Sequence, residues 1–211
     1  MYLYIKATRN MSVLILVRHG QSIYNLENRF TGNLDIALTQ LGEQEALNAG
    51  DKLLNFKFDL AYTSTLVRAQ ESLNIILKEI HQTDCLVIQN QALNERNYGN
   101  LQGLNKEETI AKFGQKQVDI WRRSYAVRPP EGESLEDTFN RTVPFYKHEI
   151  EPELKLQKDI LIVAHGNSLR SLVMYLENIS EKEIPNLNIP TGIPRSYAFD
   201  ENLNILNVKY L

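Results

Sequence analysis

Imidazole, guanidinium and carboxylate groups are the side chains whose spacing in this chain could do chemistry. The chain holds four histidines, and two of them stand in equivalent places. Arg18-His19-Gly20 follows the apolar run Leu14-Ile15-Leu16-Val17, and His165-Gly166 follows Ile160-Leu161-Ile162-Val163-Ala164. A neutral imidazole beside a cation can attack an electrophilic phosphorus if a backbone carbonyl holds its other nitrogen, while arginine neutralises the non-bridging oxygens. Arg18 suits this, because a guanidinium opposes protonation of the neighbouring imidazole and, when buried, calls for an anion. Taken singly, each histidine reads as a satisfied core residue at a strand end. The pairing points to one shared pocket.

Further candidates lie in three other segments. Ser64-Thr65-Leu66-Val67-Arg68 sets Arg68 in the first turn of a helix beyond another strand. Free N–H groups and the helix dipole favour phosphate there, and the guanidinium adds a bidentate partner, although a solvated helix arginine would have the same sequence. From Leu93 to Lys106 the chain is polar, punctuated by glycine and without a period, as a binding loop is. Within it Glu95 is the natural group to move a proton to or from a substrate hydroxyl; an ion pair with Arg96 is the plain alternative. Arg122 and Arg123 follow Trp121. Helix neighbours point about 100° apart, so the two serve one ligand only near a helix end, and otherwise form a solvated basic face. Metal-ligand spacings such as His-x-His, His-x-x-x-His or Asp-rich runs are absent from the sequence, so no metal is expected.

These groups need a scaffold with strand ends converging on one crevice. Apolar runs that stop at polar residues and glycine suit parallel strands buried on both faces, whose carboxyl ends line a ligand site. Ala46, Ala49, Gly50, Leu53 and Leu54 recur at helical spacing after Thr39; Leu66, Ala69, Leu73, Ile76, Leu77 and Ile80 do so after the strand-like Asp59–Tyr62. Leu135, Phe139, Val143, Tyr146 and Ile150 form a third stripe, opened by a Ser134/Asp137 capping pair and kinked at Pro144. Leu169, Leu172, Val173 and Leu176 make a fourth, with Asn167 or Ser168 placed to cap it. Ser180 and Glu183 repeat the capping pattern for a short helix, and Ser196–Phe199 with Ile205–Tyr210 read as a pair of edge strands. The alternation predicts an α/β fold, three layers α/β/α, with a mostly parallel central sheet flanked by helices.

With 211 residues, 43% of them hydrophobic, and no linker-like stretch, the chain predicts one catalytic domain over residues 11–211, preceded by an extension or tail over residues 1–10. The single cysteine, Cys85, excludes an internal disulfide and is expected to be a small buried apolar residue, which with a reducing environment points to the cytoplasm. No run is long enough for a membrane span and no export signal appears. A net charge of −3 argues against a nucleic-acid partner, yet clustered arginines allow a basic pocket on an acidic protein.

The motifs Leu16-Val17-Arg18-His19-Gly20, Ser22, Asn25, Arg29-Phe30-Thr31-Gly32, Arg68-Ala69, Leu93-Asn94-Glu95-Arg96, Tyr98-Gly99, Leu101–Lys106, Trp121-Arg122-Arg123, His165–Arg170 and Asn188–Gly192 resemble the cofactor-dependent phosphoglycerate mutases of the histidine phosphatase superfamily. Arg-His-Gly alone marks the superfamily; the segment Glu95–Lys106 and the Trp-Arg-Arg cluster are more specific to the mutases. The resemblance implies interconversion of 3-phosphoglycerate and 2-phosphoglycerate, primed by 2,3-bisphosphoglycerate and independent of metal. By the same resemblance His19 carries the phosphoryl group, Glu95 is the proton donor and acceptor, and His165, Arg18 and Arg68 surround the transferring group. Ser22, Asn25, Thr31, Gly32, Tyr98, Lys106, Arg122, Arg123, Gly166 and Asn167 are then substrate-binding. The partners implied are small phosphoglycerates, with a homodimer by family analogy. Arg128–Ser134 is short where many members carry an insertion that shapes the site mouth and subunit contacts. A phosphatase on the same fold, with water accepting the phosphoryl group, is the alternative; the Trp-Arg-Arg cluster and Lys106 favour the mutase. A non-catalytic binding protein is the reading from another class.

Overall fold

The alternation of side chains in the first apolar run sets the architecture. Strand β1 (Ser12–Arg18) turns Leu14 and Leu16 to one face and Val13, Ile15 and Val17 to the other, and all five are buried. A strand covered on both sides requires this. In the computed structural model, which describes residues 11–211, β1 lies in a six-stranded sheet with β2 (Leu60–Thr63), β3 (Leu86–Gln89), β4 (Ile160–Ala164), β5 (Arg195–Phe199) and β6 (Ile205–Tyr210). The order is β3-β2-β4-β1-β5-β6. The first four in that order are parallel, whereas β5 runs antiparallel to β1 and β6 antiparallel to β5. Register pairs Arg18 with Ala164, so the residues that follow, His19 and His165, leave adjacent strand ends together. The tail expected over residues 1–10 lies outside the described residues.

Helices cover both faces. On one side α2 (Gln40–Leu53) and α3 (Val67–Glu79) lay Ala46, Ala49, Leu53, Leu73 and Ile76 on Val13, Ile15, Val17, Leu161 and Val163. On the other, α8 (Gly166–Leu176) and the turn that follows α6 (Leu135–Phe145) pack Leu169, Leu172, Val173, Tyr146 and Ile150 against Leu14, Leu16, Ile160 and Ile162. The expected three layers are therefore present. Short α1 (Ile23–Leu26), α4 (Lys106–Phe113) and α5 (Gln115–Arg123) gather over the carboxyl ends of the strands, and α7 (Glu151–Lys155) leads into β4. Ser134 and Asp137 form the reciprocal cap of α6, as their spacing predicts. Pro144 has no N–H to give, and α6 widens directly after it into a π turn over Tyr146–Ile150. Among the described residues no helix is long and apolar enough to cross a membrane.

Several details differ from expectation. Only β6 is an edge strand of the expected pair, because β5 also joins β1. The opposite edge, β3, is too short and too exposed to show a burial period, with Leu86 62% accessible. His165 itself is the N-cap residue of α8, and Ser168 reaches back so that its Oγ accepts from the His165 N–H at 3.2 Å. Ser180 bonds Glu183 as foreseen, but it opens turns and a short 3-10 segment at Ile184–Asn186 rather than an α-helix. Leu54 is exposed beyond the end of α2, and Cys85 is half-buried at the rim of the core.

One close approach ties the fold to the first histidine. A Cβ on Gly20 would lie 2.0 Å from the Gly42 carbonyl oxygen, and one on Gly42 would lie 2.1 Å from the Gln21 carbonyl oxygen. The loop after β1 thus rests backbone to backbone on the first turn of α2. Gly42→Ala is expected to cost about 3 kcal/mol in urea unfolding, the upper end for overpacking, and to shift the His19 ring resonances in NMR. An unchanged midpoint would show that this contact is not needed.

Candidate active site

The His19 ring is buried, 2% accessible, and its tautomer follows from its contacts. Nδ1 lies 2.6 Å from the Gly20 carbonyl, which can only accept, so Nδ1 carries the proton. Nε2 then has a lone pair, and the Nε–H of Arg68 donates to it at 3.3 Å. The other two donor groups of Arg68 hold the carbonyls of Leu34 and Gly32, each at 2.8 Å. Burial, then Arg68, then Arg18 push the His19 pKa well below its usual value. The result is a neutral imidazole with one nucleophilic nitrogen aimed among cations.

The second imidazole is 4.9 Å away, centroid to centroid, and is fully buried. Ser64 Oγ accepts from the Leu66 N–H at 3.2 Å, and among the described residues its own hydrogen has no acceptor other than His165 Nε2 at 2.7 Å. The His165 proton therefore sits on Nδ1, a buried donor without a protein partner among the described residues. Arg18 Nε is a second such donor, although its Nη1 binds the Ile189 carbonyl at 2.9 Å. These two orphaned donors, with Arg68, surround His19 as an oxygen-rich tetrahedral anion would need.

Glu95 supplies the one acidic wall. Its Oε1 accepts from the Arg96 N–H at 2.8 Å and the Asn167 N–H at 3.0 Å. The expected alternative, an ion pair with Arg96, is not formed. Arg96 instead stacks 4.4 Å from the centre of the Tyr98 ring and donates to the Arg122 carbonyl at 3.1 Å. Burial opposes ionisation of the Tyr98 phenol, yet Arg96 brings its pKa down on balance.

In front of these groups opens a cleft of about 150 Å³ lined by Arg18, Asn25, Thr31, Gly32, Glu95, Tyr98, Lys106, Arg122, Arg123, Gly166 and Asn167. Arg122 and Arg123 sit at the last turn of α5, the helix-end position that lets both reach one ligand. His19, His165 and Arg68 lie behind this lining. Ser22 is the predicted substrate-binding residue that does not join it: fully buried, it caps α1, accepting from the Asn25 N–H at 3.3 Å and donating its own N–H to Asn25 Oδ1 at 3.1 Å. Ser22 thereby fixes Asn25, which does line the cleft. Arg29, Phe30, Arg170, Asn188 and Ile189 also line it and were not expected to. For Arg170 the signal was present, since it stands four residues after Gly166 and so on the same face of α8.

One expectation for phosphate changes. The N-terminus of α3 is not free, because Asp35 Oδ1 accepts from the Val67 N–H at 2.7 Å. Anion binding falls instead to side chains. Lys106 begins α4, where the dipole disfavours a cation, and burial followed by Arg122 lowers its pKa. A site that assembles Arg18, Lys106, Arg122, Arg123 and Arg170 around the carboxylate of Glu95, with Arg29 at its edge paired to Glu27 at 2.8 Å, suits a small ligand with several negative charges.

A nucleophilic imidazole at the carboxyl end of a parallel sheet, walled by guanidiniums, places the chain among enzymes that move phosphoryl groups. Comparison with known proteins narrows the class. Residues 14–206 match the profile of the histidine phosphatase superfamily, branch 1. A 2,3-bisphosphoglycerate-dependent phosphoglycerate mutase of Cytophaga hutchinsonii is 52% identical over 201 residues, 95% of this chain and 94% of the relative. Among solved structures, a mycobacterial hydrolase superposes with a TM-score of 0.82 at 25% identity, covering 94% of this chain and 97% of its own. A phosphoglycerate mutase from Bacillus anthracis shares the fold with a TM-score of 0.75 at 24% identity, covering 98% and 93%. The chain belongs to the histidine phosphatase superfamily.

The depressed histidine pKa values make stability depend on pH. His165 is lowered by burial first, then by Arg68, His19 and Arg18. Below a pH of about 6.5 the unfolded chain takes up protons that the folded chain refuses, so stability is fully present above that pH and falls as pH falls. Both imidazoles contribute to this loss, each losing its share of stability as pH falls through the ordinary histidine range. Urea titrations of His165→Asn at a series of pH values are expected to show a shallower fall of stability below about pH 6.5 than the unaltered chain. An unchanged slope would mean that this ring is protonated in the folded state.

Proposed function

We propose that this chain is a 2,3-bisphosphoglycerate-dependent phosphoglycerate mutase, interconverting 3-phosphoglycerate and 2-phosphoglycerate through a phosphohistidine on His19. The observation that carries this reading is the His19 tautomer: proton on Nδ1, lone pair on Nε2 facing Arg68, beside a cleft with six cations and one carboxylate. The mutase name borne by its relatives supports the reading. The orphaned Arg18 Nε and His165 Nδ1 fit a phosphoryl group at His19, and the cations of the outer cleft fit the second phosphate and the carboxylate of a bisphosphoglycerate. The bisphosphate supplies the phosphoryl group that primes the enzyme.

Phosphorylated His19 gives its group to the free hydroxyl of the monophosphoglycerate: the oxygen bonds to phosphorus as the N–P bond breaks, and Glu95 takes the hydroxyl proton. The 2,3-bisphosphoglycerate so formed turns in the pocket, His19 Nε2 bonds to its other phosphorus as that ester P–O bond breaks, and Glu95 gives the proton back to the departing oxygen. Arg18, Arg68 and His165 hold the three equatorial oxygens throughout, so catalysis is positioning and charge stabilisation. Asn25, Thr31, Gly32, Tyr98, Lys106, Arg122, Arg123, Gly166 and Asn167 hold the rest of the substrate, with Ser22 acting through Asn25. The same reading makes residues 11–211 one catalytic domain of a cytoplasmic homodimer with small phosphoglycerates as its partners.

Phosphorus NMR of 3-phosphoglycerate with the protein, in chelator, with and without a trace of 2,3-bisphosphoglycerate, tests the proposal. The 2-phosphoglycerate signal is expected to grow quickly only with the trace present, to vanish in His19→Ala, and to slow about 10²–10³-fold in Arg68→Met. Growth of free phosphate in place of 2-phosphoglycerate would make the protein a phosphatase instead.

A further inference from the structure

The segment that carries Glu95 is gripped from behind by α6. Arg141, on that helix, donates from Nη1 to the Ala92 carbonyl at 2.9 Å and from Nη2 to the Glu95 carbonyl at 3.1 Å. Glu133 holds the same guanidinium, taking Nε–H on one oxygen at 3.2 Å and Nη2–H on the other at 3.1 Å. That second oxygen also accepts from the Asn97 N–H at 2.9 Å, and the Glu133 N–H returns to the Asn97 carbonyl at 2.8 Å. One bidentate ion pair therefore fixes the chain on both sides of Glu95.

The geometry at residue 95 gives this grip a chemical meaning. The carbonyl that Arg141 holds and the Arg96 N–H belong to one planar peptide unit, and that N–H binds Glu95 Oε1. Turning the peptide turns the carboxylate. The Asn167 N–H also bonds Oε1, which leaves Oε2, the oxygen facing Gly166, for the proton. Neither Arg141 nor Glu133 lines the cleft in front of His19.

We propose that Arg141, locked by Glu133, is a positioning residue for proton transfer: it sets the Glu95–Arg96 peptide and through it aims Glu95 Oε2 at the substrate hydroxyl. The proposal rests on the mutase reading, in which Glu95 moves that proton. Misplacement of a reacting group by about 1 Å costs on the order of 10²-fold in rate. Arg141→Met should thus lower kcat by about 10–100-fold with the KM for 3-phosphoglycerate unchanged. Arg141→Lys keeps the charge near His165 but not the fork that spans two carbonyls, and should not restore kcat.

Primed turnover of the full chain tests this with Arg141→Met, Glu95→Gln and the double variant, alongside Arg128→Met, which breaks the exposed Arg128–Asp137 ion pair at the start of α6 and should leave kcat unchanged. Because Arg141 acts through Glu95, the double variant should be no slower than Glu95→Gln within about twofold, and the pH profile of kcat should shift in Arg141→Met. Multiplying losses, a rise in KM without a fall in kcat, or rescue by lysine would overturn the proposal. If Arg141→Met fails to fold by thermal melting, Glu133→Gln replaces it, and unchanged kcat there would also overturn it. Absence of turnover in the wild-type chain would remove the mutase reading itself, a separate outcome.

Discussion

The His19 imidazole stays unprotonated while surrounded by cations, as the proposed nucleophile must, and much of this fold serves that constraint. Burial and two guanidiniums act on His19 in the same direction, both against the imidazolium. The Gly20 carbonyl then selects which nitrogen stays bare. That carbonyl is placed by a loop resting on α2 through Gly20 and Gly42, while the Gly20 N–H binds Ser72 Oγ and Ser72 donates to the Arg68 carbonyl. Nucleophile, supporting carbonyl and neighbouring arginine are thus parts of one hydrogen-bonded unit shared by β1, α2 and α3.

Gathering that many cations is costly, and the choice of partners decides whether their field survives. Carboxylates would neutralise the arginines and leave nothing for a ligand. Backbone carbonyls accept from some of the guanidinium N–H groups yet carry no net charge, and Arg18 Nε, Arg96 Nε and Nη1 and Arg170 Nε are left without a protein partner among the described residues. Arg18 binds the carbonyl of Ile189, Arg68 those of Gly32 and Leu34, Arg96 that of Arg122, and Arg170 those of Ile184 and Arg123. Two of these carbonyls end α5, where the dipole itself favours cations. Burial lowers Arg68 and Arg170 to about 10, still protonated at neutral pH. The field is therefore retained without exposing the charges to water, and a polyanion entering the cleft finds it largely unscreened.

How far the sequence reveals this depends on whether a role is local. His19, His165 and Arg68 follow strand-like runs, so their convergence could be read from apolar segments ending at polar residues. Glu95 stood out by its place in a polar loop, and Arg122 with Arg123 by a pairing that only a helix end makes useful. Roles defined by partners distant in sequence were not legible. Ser64 fixes the His165 tautomer across 101 positions, Asp35 caps α3 from 32 residues away, and Arg141 reaches Glu95 across 46. Each belongs to a residue type that usually has a bland surface role. Strand β3 escaped for a different reason: four half-exposed residues at an edge carry no burial period.

Arg68 links these levels, because it touches the nucleophile and the cleft wall at once. Its Nε–H occupies the lone pair that the proposed mechanism assigns to attack, while its Nη groups hold the carbonyls of Gly32 and Leu34 in the loop that also supplies Thr31 to the cleft. At 3.3 Å the bond to His19 is the longest of the three, and an anionic oxygen is a better acceptor than a neutral imidazole. In the proposed mechanism an arriving phosphoryl group competes for Nε–H alone, freeing Nε2 at the moment an electrophile is present. The two carbonyl bonds and the Asp35 cap keep the guanidinium and the loop in place during that exchange. On that proposal, exchange of one weak hydrogen bond, with the rest of the arginine fixed, lets a buried histidine remain guarded against protonation and still react.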